Sequence, residues 1–179
     1  MLLNNSKNQY ITLLFTRINL EVGNRYRKNQ ESIMEKKLII TDPIVVVEDD
    51  ADDQYFIRTI CEKLGVTSDI IFFDDGKKAL NYLLTTQRRT FIILCDINMP
   101  IMNGLELRRH IQENEGLRKK SIPFVFLSTA ARPKEVMEAY NLTVQGFFVK
   151  ASQLSDMEKS LELILDYWLK CKHPNSVTL

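Results

Sequence analysis

Two apolar runs in this 179-residue chain end in carboxylates. Phe91-Ile92-Ile93-Leu94-Cys95 stops at Asp96 and continues as Ile97-Asn98-Met99-Pro100-Ile101-Met102-Asn103-Gly104. Ile44-Val45-Val46-Val47 stops at Glu48-Asp49-Asp50-Ala51-Asp52-Asp53. Carboxylate oxygens are the ligands that a hard cation such as Mg2+ prefers. The pattern therefore points to a hard-cation site built around one reactive aspartate. Two further apolar runs end in groups of other kinds, one in Ser128-Thr129 and the other in Lys150. A phosphoryl group carried on Asp96 would need this set: metal and ammonium for its charge, and a hydroxyl for one of its oxygens.

The elements that must position these residues follow from the apolar spacing. Residues 44–47, 70–73, 91–95, 124–127 and 147–149 are short apolar runs, predicted as strands. Apolar positions 56, 57, 60, 61 and 64 give a helix over 52–64. Positions 79, 80, 83 and 84 give a second, with Asp75 as its N-cap candidate. Leu107 and Ile111 mark a helix over 104–113, and Pro133 opens another to 140, where its missing N–H does no harm. Leu154, Met157, Leu161, Ile164, Leu165 and Trp168 mark a long amphipathic last helix, with Trp168 as a core anchor. The connection 113–123, carrying Arg118, Lys119 and Lys120, reads as a solvated loop, and His110 as sitting on a solvated face beside Arg108 and Arg109. Strands that alternate with helices require crossover connections, hence a parallel sheet covered on both faces. The expected fold is α/β, a flavodoxin-like doubly wound (βα)5 with a five-stranded parallel sheet in the order 2-1-3-4-5. Ligands of such sheets bind beyond the carboxyl ends of the strands. In that order the strands ending at Glu48 and Asp96 are neighbours, so their carboxylates share a small space.

Composition narrows the class. The sequence is 45% hydrophobic and 26% charged with a net charge of +1, ordinary for a soluble domain and without a bias toward nucleic acid. No apolar run approaches the ~20 residues that span a bilayer, so membrane insertion is not expected. Cys61, Cys95 and Cys171 are widely spaced, with no CxxC and only two histidines, which argues against a zinc site and suits a cytoplasmic location. Residues 1–40 hold seven basic and three acidic side chains, a net of +4 that leaves −3 on the other 139. This stretch is expected to be an N-terminal extension with little order. Met34 is a plausible alternative start, making 1–33 an appended segment. The domain proper is expected over 41–172, with 173–179 a short polar tail.

The four strand-end motifs together resemble the receiver domains of two-component response regulators. The matching stretches are Val45-Val46-Val47-Glu48-Asp49-Asp50, Asp96-Ile97-Asn98-Met99-Pro100 through Asn103-Gly104, Phe126-Leu127-Ser128-Thr129-Ala130 and Gly146-Phe147-Phe148-Val149-Lys150. The resemblance implies that Asp96 is the phosphoacceptor. It implies Mg2+ held by Glu48, Asp49, Asp96 and the backbone carbonyl of Asn98, with Ser128, Lys150 and Phe147 reading the phosphoryl group. It also implies a sensor histidine kinase or histidine phosphotransfer protein as donor, and a protein target downstream. The chain would be a single-domain regulator without direct nucleic-acid contact, a monomer or weak dimer, and not a dedicated enzyme.

Blander readings stand beside these. Asp52 and Asp53 read as acids that complement a helix N-terminus, Asn103-Gly104 as turn chemistry and Cys95 as a small core residue. Phe147 reads as well for core as for switch. The family pattern has Lys-Pro after the fifth strand, often cis, where this chain has Lys150-Ala151. That bond is either trans, re-aiming the lysine, or cis at about 2.5–4 kcal/mol. Asn141-Leu142-Thr143-Val144 also lacks the usual Gly-Ala. The rival readings are a pseudo-receiver that docks without phosphorylation, an aspartate-nucleophile phosphatase and a flavin carrier. The phosphatase would need a second acid where Asn98 stands, and the flavin phosphate would be repelled by the acids after the first strand.

Overall fold

The structure is a computed structural model and describes residues 38–174. The expectations for the 1–33 segment, the N-terminal extension and the 173–179 tail fall on residues outside that range, except at positions 38–40 and 173–174. Strands β1 (Ile44–Val47), β2 (Ile70–Phe73), β3 (Ile92–Cys95), β4 (Phe124–Ser128) and β5 (Gly146–Val149) form one sheet. All pairings are parallel, in the order β2-β1-β3-β4-β5. The helices are α1 (Ala51–Lys63), α2 (Gly76–Thr85), α3 (Gly104–Glu113), α4 (Glu115–Lys120), α5 (Pro133–Asn141) and α6 (Leu154–Lys170). The fold is the flavodoxin-like one expected, with one helix more than the strands call for. No described helix is long and apolar enough to cross a membrane.

Successive strand residues point to opposite faces, and this splits the core into two layers. Val45, Val47, Ile93, Cys95, Phe124 and Phe126 pack with Ala79, Leu83, Leu107, Ile111, Leu117 and Ala139 from α2, α3, α4 and α5. Ile44, Val46, Ile92, Leu94, Val125 and Leu127 pack with Ile57, Ile60, Cys61, Met157, Leu161, Ile164 and Leu165 from α1 and α6. Leu38 and Ile40 belong to this second layer. Ile40 is tied to the domain at Thr67, whose hydroxyl accepts from its N–H (3.2 Å) and donates to its carbonyl (3.0 Å). Strands β1 and β3 are buried throughout because helices cover both of their faces.

Two local expectations are overturned. The 113–123 connection is not a solvated loop, since residues 115–120 form α4. Asn114 ends α3 and caps α4, its side chain accepting from Leu117 N at 2.9 Å. Leu117 is buried in the core, and Lys120 donates to the carbonyl of Leu83 at 3.0 Å. Arg109 and His110 are exposed as expected, but Arg108 is only 6% exposed. Its guanidinium donates to the carbonyls of Leu142 and Thr143 (2.9 Å each) and to the Thr143 hydroxyl (3.0 Å), and lies over the Phe124 ring. Arg108 thereby clamps the corner between α5 and β5, where Thr143 takes a left-handed φ of 58°.

Candidate functional site

The sheet register brings the two acidic strand ends side by side. Val47 pairs with Cys95, and Asp96 N donates to the carbonyl of Val47 at 2.8 Å. Glu48 and Asp96, each the next residue in its chain, therefore leave the sheet together. Asp50 is drawn off into structure. Its side chain caps α1, accepting from Asp52 N (2.8 Å) and Asp53 N (3.1 Å). One carboxylate oxygen from each of Glu48, Asp49 and Asp96 lies within 4.8 Å of the others. Glu48 and Asp96 are buried and Asp49 is exposed, which leaves the cluster one open side.

Glu48 is 2% exposed and Asp96 6%. Burial, opposed by Lys150 and reinforced by Asp96, pushes the Glu48 carboxyl up to about 7. Asp96 has one oxygen fixed and one spare. Its Oδ2 accepts from Asn98 N at 2.7 Å, whereas buried Oδ1 has no hydrogen-bond partner and sits 3.3 Å from Lys150 Nζ. An orphaned buried acceptor beside two more carboxylates is costly in a metal-free site. The donor set is one that a hard divalent cation fits.

Lys150 enters from the end of β5, where its N–H donates to the Ser128 carbonyl at 2.7 Å. The ammonium is 2.5 Å from Glu48 Oε2 and 2.7 Å from Asp53 Oδ2. Burial works against its charge, but the hydrogen bonds to Asp53 and Glu48, with Asp96 nearby, hold its pKa above the usual lysine value. Among the described residues no peptide bond is cis, so the Lys150-Ala151 bond is trans, and the lysine reaches the acids from that geometry. Ser128, the last residue of β4, is fully buried and its hydroxyl has no hydrogen-bond partner. Asn98 is exposed and joins the site through its backbone N–H to Asp96. Phe147 lies in the apolar layer, half-buried, its ring 6.0 Å from that of Phe126. Cys95 is fully buried, and burial pushes its thiol well up, which suits a core residue.

Asp53 also belongs to the site, and is more than the helix-end acid that its sequence position suggests. It lies four residues before buried Ile57, on the core-facing stripe of α1, and that spacing was the available signal. Gly104 is also more than turn chemistry. A Cβ there would come within 2.1 Å of the Asp96 carbonyl oxygen and 2.9 Å of Phe126 Cε1. Backbone fixed by Asp96 N to Val47 and by Gly104 N to Ile97 (2.9 Å) cannot yield cheaply. Gly104→Ala is expected to destabilise by about 1–3 kcal/mol and to weaken divalent-metal affinity by displacing Asp96. Urea unfolding and a metal titration check this, and normal values for both would contradict it.

Residues 44–162 match the response regulator receiver domain family, and the chain belongs to that family. A probable methanogenesis regulatory protein, FilR2, of Methanothrix harundinacea is 32% identical over 130 residues, covering 70% of this chain and 83% of the relative. Among solved structures, the phosphorylated cyanobacterial phytochrome response regulator RcpA superposes with a TM-score of 0.67 at 27% identity, covering 73% of this chain and 96% of RcpA. The Mn2+-bound form of response regulator Rcp1 gives 0.65 at 28% identity, covering 77% of this chain and 98% of Rcp1.

Proposed function

We propose that this receiver accepts a phosphoryl group on Asp96 from a histidine kinase or a histidine phosphotransfer protein, and signals through a protein target that recognises the phosphorylated form. The observation that carries the reading is Asp96 Oδ1, a buried oxygen without a hydrogen bond, 3.3 Å from an ammonium and clustered with Glu48 and Asp49. Glu48, Asp49, Asp96 and the Asn98 carbonyl would hold Mg2+. When bound, the metal would supply charge neutralisation for the transferred phosphoryl oxygens. Oδ1 attacks phosphorus as the bond to the donor imidazole nitrogen breaks, and the bonding electrons leave with the imidazole. Asn98 N–H holds Oδ2 meanwhile, fixing the plane of the carboxylate. The Ser128 hydroxyl and Lys150 ammonium then take phosphoryl oxygens. Their movement opens space for Phe147 and shifts a pre-existing equilibrium on the β4, α5 and β5 face. Water later hydrolyses the acyl phosphate and resets the domain. The solved phosphorylated RcpA and Mn2+-bound Rcp1 support this reading by similarity.

The test is to incubate the full chain with a small acyl phosphate and Mg2+, then map the product by mass spectrometry. One phosphoryl group is expected on the peptide that carries Asp96, and chelation of the metal should prevent it. No modification under these conditions would favour a module that docks without phosphorylation. Modification at another residue would overturn the assignment of Asp96.

A further inference from the structure

Lys150 is held by more acid than its proposed task requires. Its ammonium carries three hydrogens, and the two shortest contacts go to Glu48 (2.5 Å) and Asp53 (2.7 Å), with Asp96 farther off at 3.3 Å. The charge thus rests on Glu48 and on Asp53 of α1 rather than on Asp96. Glu48 belongs to the cluster of three carboxylates that fits a metal, and Asp53 does not. Asp53 sits in the first turn of α1, where its own N–H is tied to the Asp50 side chain at 3.1 Å, so it holds the lysine from a fixed support. Its neighbour Asp52 is exposed, as an acid that serves only the helix end would be.

We infer that Asp53 is a positioning residue that holds Lys150 back from Asp96 and so sets how readily the phosphorylated state forms. The inference rests on the reading of Asp96 as phosphoacceptor. A phosphoryl group on Oδ1 must draw the ammonium toward it, and each such move costs the Asp53 hydrogen bond. A charge-assisted contact opposes the move more strongly than a neutral one of the same shape. Asparagine keeps the size of Asp53 and removes its charge, so it should release the lysine without disturbing the three metal-side carboxylates. Glutamate keeps the charge and should retain the restraint.

Beryllofluoride, a phosphoryl mimic that binds carboxylates reversibly, gives an equilibrium measure. The full chain is titrated with it in the presence of Mg2+, with amide NMR shifts as the readout. Asp53→Asn is expected to bind about threefold to tenfold more tightly than wild type, and Asp53→Glu to stay near wild type. In a Lys150→Met background the same Asp53→Asn change should have no effect, an outcome that a purely structural role would not produce. Unchanged or weaker binding by Asp53→Asn, or an equal gain without Lys150, would overturn the inference while leaving the phosphoacceptor reading intact. Wild-type protein that shows no Asp96-dependent binding would overturn both.

Discussion

Asp96→Asn is expected to reduce phosphoryl incorporation from a small acyl phosphate to background while the fold remains intact. The amide has no anionic oxygen to form the acyl phosphate, so the loss should be complete rather than graded. The fold should survive because the substitution keeps the shape and the contact that matters locally. The amide oxygen can still accept from Asn98 N, the bond now made at 2.7 Å. The charge balance also argues against collapse. In metal-free protein, removing one of three clustered carboxylates relieves like-charge repulsion. Lys150 loses only its longest contact and keeps Glu48 and Asp53. The expected stability change is within about 1 kcal/mol, read as a urea midpoint without metal. Divalent-metal affinity should fall, because the cluster has lost an anion. Undiminished labelling of the variant would refute the role proposed for Asp96. Lost labelling together with an unfolded chain would show that the aspartate serves the fold instead.

Some of this arrangement was legible in the sequence, for a physical reason. Strands buried on both faces are written as unbroken apolar runs, so the residue at which each run stops stands out. Glu48, Asp96 and Ser128 lie at such stops, Lys150 ends the apolar run of the partly exposed edge strand β5, and the strand order then fixes Glu48 beside Asp96. Contacts between elements were harder to read. Asp53 and Lys150 are 97 positions apart and meet only because α1 and β5 are brought to the same edge. Nothing local separates Asp53 from Asp52 except helical phase: Asp53 leads to buried Ile57, whereas Asp52 leads to half-exposed Phe56. Helical phase also marks Arg108, which lies four residues after buried Gly104 and three before buried Ile111. Its charge suggested solvent, but burial is possible because carbonyls of the α5–β5 corner receive its protons. Helix α4 escaped because six residues with a single buried apolar side chain, Leu117, show no period.

Lys150→Met should be the most destabilising substitution at the site in metal-free protein, costing about 3–5 kcal/mol at alkaline pH. It removes the cation that faces buried Glu48 and Asp96, and leaves their charges uncompensated. The pH dependence gives the prediction its specific form. The Glu48 pKa is raised in the folded protein, from 4.5 to about 7, chiefly by burial. For an acid with a raised folded-state pKa, the native state binds the extra proton, so its contribution is present below the unfolded value and is lost as pH rises through the folded value. In wild type that loss is still under way at about pH 7 and is nearly complete about one unit higher. The Lys150 contribution has the opposite origin. Its pKa is raised by Asp53 and Glu48 against the effect of burial, so its stabilisation persists through neutral pH and is lost only above the usual lysine range. Without Lys150, the carboxyl of Glu48 should rise beyond 7 and its ionisation penalty should extend to higher pH. The stability gap between wild type and Lys150→Met is therefore expected to widen from pH 6 to pH 9. Mg2+ should narrow the gap at pH 9, since a divalent cation on the cluster replaces the missing charge. Urea unfolding at the two pH values, with and without Mg2+, measures all four quantities. A gap that is the same at both pH values and indifferent to metal would mean that Lys150 supports the fold through its packing, and that its charge is not what the buried acids require.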